Sequence, residues 1–144
     1  MKYLALLVWC SLASPVLAGI NDKVYGDVLV TEVTSIYDGD TFRATIKDWP
    51  AIIGERIPIR VQGIDTPELR GKCDAEKRLA RQAKQFTVEK LRSAKKIELR
   101  NIQRGKYFRL LADVYLDNQS LGAQLIKNQL AVPYSGGAKV NWCL

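Results

Sequence analysis

The sequence contains no histidine among its 144 residues. This absence excludes the nucleases and hydrolases that use an imidazole as the catalytic base, including the Ser-His hydrolases. The sequence also contains no internal repeat and no low-complexity segment. A chain of this length without repeats is expected to form a single domain around one hydrophobic core.

Long hydrophobic runs are absent except at the N-terminus. There, Lys2 precedes an apolar run that ends in small residues near Ala18. A short apolar run between a positive charge and a small-residue cleavage site is typical of a secretory signal. We therefore expect a signal peptide at residues 1–18 and a single mature domain at residues 19–144. The mature protein is expected to be exported, either periplasmic or secreted, without stable membrane association.

Two other interpretations of this run remain open. A membrane anchor is disfavoured because Ser11, Ser14 and Pro15 interrupt the run, which is short for a membrane span. A lipoprotein cysteine at Cys10 is disfavoured because the bulky Trp9 stands where such sites need a small residue.

Only three cysteines are present, and removal of the signal peptide would leave Cys73 and Cys143. An even pair in an exported protein indicates a disulfide, which would also leave no free thiolate to act as a nucleophile. In the chain-entropy description, closing a loop of this length contributes roughly 4 kcal/mol to stability. The alternative is two unrelated free thiols.

Acidic residues are fewer than basic ones: 15 Asp and Glu stand against 22 Lys and Arg, for a net charge of +7. The excess is concentrated in residues 69–109, which contain fourteen basic and four acidic side chains. Such a surface favours polyanionic partners such as nucleic acid, although it can also serve solubility alone. We expect the protein to be a monomer.

Alternating and β-branched apolar residues predict five strands, and helical spacing predicts two helices. The strands are expected at residues 27–37, 41–46, 57–64, 96–102 and 108–116, and the helices at residues 75–93, capped by Asp74, and 120–129. The apolar loop at residues 47–56 is expected to cap the core rather than to touch substrate. This order predicts a mostly β, α+β fold: a five-stranded OB-fold-like barrel with two or three helices.

Asp40 and Asp65 fall at the ends of the second and third predicted strands. In an antiparallel hairpin whose paired residue numbers sum to 105, Asp40 would lie opposite Asp65. Two facing carboxylates repel each other unless a cation or a shared proton lies between them. A regular strand would send Arg60 to the opposite face, and a bulge at Gly63 or a loop at Asp65 would remove this conflict.

The Asp-Gly-Asp sequence at residues 38–40 does not begin an EF-hand. That loop needs an oxygen donor and a glycine where Phe42 and Arg43 stand. A hard-cation site built from few protein ligands remains, and it would leave room for water and a phosphate oxygen.

These residues predict a metal-assisted phosphodiesterase. Glu68, three residues after Asp65, is a candidate to position or deprotonate the attacking water. Arg60 and Arg109 are candidates to bind the phosphoryl oxygens, because a guanidinium can donate two parallel hydrogen bonds. Taken one at a time, the same residues would be ordinary turn formers and surface ion pairs.

Three segments together resemble the staphylococcal nuclease (thermonuclease) family. They are Asp-Gly-Asp-Thr at residues 38–41, the stretch at residues 60–68, and Lys-Tyr-Phe-Arg at residues 106–109. The resemblance extends from about residue 28 to about residue 134. It implies an OB-like barrel with helices that hydrolyses DNA and RNA, with Ca²⁺ as the cofactor, by attack of a metal-associated water.

The resemblance also implies roles for individual residues. The implied calcium ligands are Asp40, Asp65 and the backbone carbonyl of Thr66. The implied catalytic residues are the water-activating Glu68 and the phosphate-binding Arg60 and Arg109. The residues implied to hold the terminal phosphate and base of the nucleotide are Lys106, Tyr107 and Tyr134.

The chain departs from the staphylococcal type in its apolar loop at residues 49–53, its short segment after Glu68, its cysteine pair and its short C-terminal tail. In these features it resembles exported Gram-negative members. Two rival functions remain open: a non-catalytic nucleic-acid-binding OB-fold module, and a basic surface for envelope polyanions or a partner protein. The first would be expected to lose the acids, which this chain keeps.

Overall fold

The computed structural model describes residues 23–144, so the predicted signal peptide and its cleavage site lie outside the described residues. The strands are β1 (Val28–Leu29), β2 (Glu32–Ile36), β3 (Thr41–Thr45), β4 (Ile57–Val61), β5 (Ile64–Asp65), β6 (Ile97–Arg104), β7 (Leu110–Leu116), β8 (Gln119–Ser120) and β9 (Val132–Pro133). The helices are α1 (Ala51–Gly54), α2 (Asp74–Ser93) and α3 (Leu121–Lys127). Within residues 23–144, no helix is long and apolar enough to cross a membrane.

Most strands form one sheet in the order β1-β6-β7-β4-β3-β2, in which only β4 and β7 pair in parallel. Strands β1 and β2 lie at opposite ends of this order, although only two residues separate them. Val30 donates its N–H to the Ile97 carbonyl, and Thr31 donates to the Thr45 carbonyl. One short segment thus joins both edges, which requires the sheet to curl. The predicted α+β, OB-fold-like architecture is confirmed.

The core lies inside this curled sheet, because apolar residues alternate along the strands. In β7, every second residue from Leu110 to Leu116 is buried. Helix α2 contacts β2 and α3. Its buried face is Glu76, Ala80, Ala83, Thr87 and Leu91, whereas Leu79 and Phe86 are only partly buried.

Three local expectations are corrected. Cys73, not Asp74, is the N-cap of α2, and its sulfur accepts from the Glu76 N–H. The first expected strand divides into β1 and β2 because it pairs with both edges of the sheet. The loop at residues 47–56 contains α1, and the partly buried Trp49 packs against the core while Ile52 is 86% exposed.

The predicted register between β3 and β4 is wrong. Thr41 pairs with Arg60, so paired residue numbers sum to 101, and Val61 donates its N–H to the Asp40 carbonyl at 2.8 Å. The physical reason is α1. Its helical turn takes up residues on the β4 side of the connection, so the midpoint of the β3–β4 hairpin lies closer to β3 than predicted. Asp40 and Asp65 are therefore not cross-strand partners.

Candidate active site

The turn that carries Asp40 is held against α2 by a close backbone approach. Gly39 has no room for a side chain, because a Cβ atom there would lie 2.8 Å from the Cβ of Ala83 and 3.0 Å from the Cγ2 of Thr66. The fully buried Thr87 donates its hydroxyl hydrogen to the Gly39 carbonyl at 2.7 Å. Helix α2 therefore sets the position of Asp40 relative to the barrel.

Asp40 and Asp65 converge on one guanidinium. Both residues are 1% exposed. Arg60 donates from Nη1 to Asp40 Oδ1 at 2.5 Å and from Nη2 to Asp65 Oδ1 at 3.2 Å. Burial lowers the pKa of Arg60, but the two carboxylates raise it, and the net effect places the pKa above its ordinary value. Asp40, Arg60 and Asp65 thus meet at one site, although Asp40 and Asp65 are not paired across β3 and β4 as predicted.

Asp65 reaches this site through a turn. Gly63 has φ +77°, a left-handed conformation that glycine adopts without strain, so β4 ends before Asp65. The chain then forms β5, in which Asp65 pairs with Val132 of β9. Tyr134 donates its N–H to the Gly63 carbonyl at 2.9 Å. The structure thus resolves the Arg60 conflict by a turn at residues 62–63, rather than by a bulge at Gly63 or a loop at Asp65.

Asp38 lies beside these acids and is 7% exposed. Its Oδ1 accepts the N–H of Asp40 at 3.1 Å. Burial, reinforced by the negative charge of Asp40, raises the pKa of Asp38 to about 7. Neutral pH is therefore close to the pKa of this carboxyl group.

The substitution Asp38→Asn is expected to flatten the pH dependence of stability in metal-free buffer. The folded protein holds a proton on Asp38 up to about pH 7, whereas the unfolded chain releases it near 3.8, so wild-type stability falls as pH rises through this window. The variant keeps the acceptor oxygen but does not titrate. Between pH 4.5 and pH 8, we expect the free energy of unfolding of the variant to rise by on the order of 2 kcal/mol relative to that of wild type.

Urea unfolding with chelator across this pH range measures the difference. The exposed substitution Asp74→Asn is the matched control, because the Asp74 side chain is 87% exposed. A difference between Asp38→Asn and wild type that does not change with pH would contradict the assignment.

Thr66 and Glu68 follow Asp65 in the sequence, and Glu68 lies in the lining of a surface cleft. The N–H of the buried Thr66 donates to Asp40 Oδ2 at 3.2 Å, so Thr66 lies against the acid pair. The Glu68 side chain is 48% exposed and can meet water.

Glu76 is a positioning residue that the sequence analysis missed. It is 7% exposed, and its carboxylate accepts the N–H of Glu68 at 3.3 Å and the N–H of Lys72 at 2.9 Å. The loop that carries Glu68 is thereby attached to the first turn of α2. The available signal was an acid three residues after the N-cap Cys73, the spacing of a capping box.

Lys139 is the second residue that the sequence analysis missed. Its ammonium lies 2.6 Å from Glu68 Oε1 and 3.1 Å from Asp65 Oδ1. Burial lowers the pKa of Lys139, but its contacts with Glu68 and Asp65 give a net increase above the ordinary value. No local pattern marks this lysine, because it lies in an irregular tail.

Arg60, which binds the acid pair, lines a cleft of about 330 Å³. Its lining residues are Tyr37, Asp38, Thr41, Arg60, Glu68, Arg109, Tyr134 and Lys139. The Nε of Arg109 is buried and has no hydrogen-bond partner among residues 23–144. A buried guanidinium N–H without a partner is suited to donate a hydrogen bond to an anionic oxygen of a ligand.

The three residues predicted to hold the nucleotide are not all brought to this cleft. Tyr134 lines it, with its hydroxyl donating to the Gly137 carbonyl at 3.0 Å. Lys106 and Tyr107 lie on the turn before β7, outside the cleft lining, and Tyr107 is 91% exposed.

The donor set fits a hard divalent cation. Two buried carboxylates bound to one guanidinium present oxygens toward a common region, and oxygen donors are the ligands that Ca²⁺ prefers. A different group, Cys73, Glu76 and Cys143, has its donor atoms within 4.8 Å of one another. Those two cysteines are bonded to each other, as predicted, so they offer no thiolate to a metal.

The curled sheet, the buried acid pair and the basic cleft define an OB-fold-like protein with a candidate site for an anionic substrate. Residues 58–141 match the family described as staphylococcal nuclease homologue. This chain belongs to the staphylococcal nuclease family.

One relative is a Colletotrichum graminicola protein named "Probable endonuclease LCL3". The two sequences are 31% identical over 134 residues, which cover 79% of this chain and 49% of the relative. The chain therefore spans about half the length of the relative that it matches.

Proposed function

We propose that this protein is a calcium-dependent nuclease that hydrolyses phosphodiester bonds of DNA, with RNA as a second substrate. The observation that carries the proposal is the convergence of the buried Asp40 and Asp65 on Arg60. Arg60 lines a cleft together with Arg109, whose Nε has no hydrogen-bond partner among residues 23–144. Membership of the nuclease family and the name of the relative support the same reaction class.

The proposed roles of the residues are those that the family resemblance implies. Asp40 and Asp65, with the Thr66 carbonyl, would hold the cation. A bound Ca²⁺ would supply positive charge where negative charge develops on the phosphoryl oxygens. Arg60 and Arg109 would donate hydrogen bonds to those oxygens.

Glu68 would orient the attacking water and accept its proton. Its carboxylate lies at the mouth of the same cleft and is half exposed, so solvent reaches it. Glu76 fixes the backbone at Glu68 and would limit the movement of this base. Histidine is absent from the chain, so a carboxylate is the base that these residues offer.

The proposal is tested by incubating residues 19–144 with single-stranded DNA, double-stranded DNA and RNA, with Ca²⁺ or with chelator. We expect digestion with Ca²⁺ and none with chelator. Glu68→Gln should abolish most activity, whereas the exposed Glu89→Gln on α2 should keep it. A folded protein that cuts no nucleic acid at any Ca²⁺ concentration would reject the enzyme and favour the binding module.

Lys139→Met is expected to raise the affinity for Ca²⁺ about three- to tenfold. The Lys139 ammonium occupies oxygens of Asp65 and Glu68, and a partly exposed ion pair of this kind is worth about 1 kcal/mol or less. Calorimetric titration of the substrate-free protein measures the affinity. The exposed Lys127→Met makes the same change in net charge, and equal affinities in the two variants would show that Lys139 does not compete.

Export belongs to the same proposal. A disulfide between Cys73 and Cys143 suits an oxidising compartment, and the expected signal peptide at residues 1–18 would direct the chain there. Expression of the full chain in a Gram-negative host should yield a protein that begins at Gly19 in the periplasm or the medium. An uncleaved chain in the cytoplasm would contradict this part of the proposal.

A further inference from the structure

A second cavity also has Arg109 in its lining. We name it the aromatic pocket and define it by Tyr25, Trp49, Ile53, Arg104, Phe108 and Arg109. Its volume is about 340 Å³, within the range of small-molecule sites. Arg109 lines both cavities, so the aromatic pocket adjoins the candidate active site.

The pocket has an apolar floor and an aromatic rim. Ile57, Ile102 and Leu110 form the floor and are at most 9% exposed. Tyr25 and Phe108 form part of the rim and are 56% and 53% exposed. Large exposed aromatic side chains around an apolar floor are uncommon on a surface that has no partner.

The charge at the pocket has one sign. Arg104 and Arg109 line it, and no acidic residue among residues 23–144 does. The Arg104 guanidinium carbon lies 5.3 Å from the centroid of the Phe108 ring, which places a cation over the aromatic face. Basic grooves that combine arginine with aromatic rings are the surfaces on which bases of single-stranded nucleic acid stack.

The backbone around Phe108 is held in an unfavourable conformation. Tyr107 and Phe108 have φ values of 57° and 58°, in the left-handed region that bulky residues rarely adopt. Hydrogen bonds from Gly105 N–H to Arg109 O at 2.7 Å and from Arg109 N–H to Lys106 O at 3.2 Å close this turn. The strained turn presents Phe108 to the pocket and Arg109 to both cavities, and such strain clusters at functional sites.

We infer that the aromatic pocket is a nucleobase subsite for the strand being cut. A phosphate on Arg109 would place the neighbouring nucleotide on the pocket side, where its base would stack between Trp49 and Phe108. This subsite would take single-stranded or unpaired substrate, because a base in a duplex is not free to enter. The inference rests on the proposed nuclease function for its choice of ligand.

The test measures binding in chelator, where no cutting interferes. A fluorescent eight-residue oligothymidylate and a set of the same oligomers with one abasic position are titrated against wild type and Phe108→Ala. We expect Phe108→Ala to weaken binding about tenfold, as loss of one stacked base does. The 86% exposed Ile52→Ala, in the same loop as Trp49 but outside the lining, should bind like wild type.

The abasic series identifies the contact itself. In wild type, one abasic position should weaken binding about tenfold, and in Phe108→Ala that same position should make no difference. The second measurement is tryptophan fluorescence in the variant Trp142→Phe, in which Trp49 is the only tryptophan of residues 19–144. Oligothymidylate should quench the emission of Trp49, whereas inorganic phosphate should not.

Identical abasic profiles in wild type and Phe108→Ala, or unquenched Trp49 emission at saturation, would overturn the inference. A wild-type dimer that Phe108→Ala abolishes, without any base dependence, would assign the pocket to a second copy of the chain and overturn it as well. Because binding is measured in chelator, a protein that binds through the pocket but never cuts DNA would reject the proposed function alone. A protein that cuts DNA without base dependence at Phe108 would reject the subsite alone.

Discussion

Arg60→Lys is expected to lower kcat/KM on DNA about 100- to 1,000-fold. Arg60 uses both terminal nitrogens, binding Asp40 from Nη1 and Asp65 from Nη2, and Nη2 also lies 3.2 Å from the Ile64 carbonyl. A lysine keeps the charge but has one nitrogen and no planar fork. It would therefore fail both to hold the acid pair and to donate two parallel hydrogen bonds to a phosphoryl group, and losing one such donor commonly costs this factor in rate.

Steady-state kinetics on a defined oligonucleotide measures the effect, with circular dichroism to show that the variant is folded. Arg43→Lys is the matched control, because Arg43 lies on the adjacent strand β3, is exposed, and donates to the Arg56 carbonyl rather than to an acid. Turnover of a folded Arg60→Lys variant within a fewfold of the control would remove Arg60 from the mechanism.

Loss of the disulfide is expected to lower the free energy of unfolding by about 4 kcal/mol. Cys73 and Cys143 are 70 residues apart in sequence, with Cα atoms separated by 6.0 Å, so reduction would open a long loop. The double substitution Cys73→Ser and Cys143→Ser suits this measurement, because serine can replace the sulfur of Cys73 as the N-cap of α2. The loss therefore reports the cross-link rather than the cap.

Denaturant unfolding of wild type, reduced wild type and the double variant gives three values. Reduced wild type should match the double variant, and reductant should leave the double variant unchanged. Two alkylatable thiols in unreduced, denatured wild type would show that the bond does not form. A loss below about 1 kcal/mol would show that the bond adds little to stability.

The disulfide and the active-site charges are connected through the C-terminal tail. Cys143 fixes this tail beside the start of α2, four residues after Lys139. Lys139 in turn contacts Asp65 and Glu68, so the tail adds one positive charge to the acid cluster. The stability of the tail and the charge balance of the site are thereby linked.

Much of the barrel followed from local pattern. Alternating burial along β4 and β7 is the period-2 signal of strands that face a core on one side, and both strands lie where that signal predicts them. The register did not follow, because it depends on the geometry of the connection. The one-turn helix α1 shifts every pair between β3 and β4, and a helix of four residues is too short to leave a periodic signal.

The candidate site divides in the same way. Asp40, Arg60, Asp65 and Glu68 stand out because they lie close together in two short segments, and Arg109 because of the family resemblance. Glu76 and Lys139 do not stand out, because a glutamate in a helix and a lysine in a tail are ordinary surface residues in any sequence. Their importance comes from a 7% exposed carboxylate and a 2.6 Å ion pair, which are properties of the folded chain.

The sequence by itself determined which chemistry is available, namely carboxylates and guanidinium groups without histidine on a basic chain. It also predicted the strands and two of the helices, because these segments are long enough to show a periodic pattern. Only the tertiary structure decided which charges meet. Lys139 is 71 residues from Glu68, and Arg109 lines two cavities whose walls come from distant segments. Contacts over such separations depend on the path of the whole chain through the barrel, and local side-chain pattern does not encode that path.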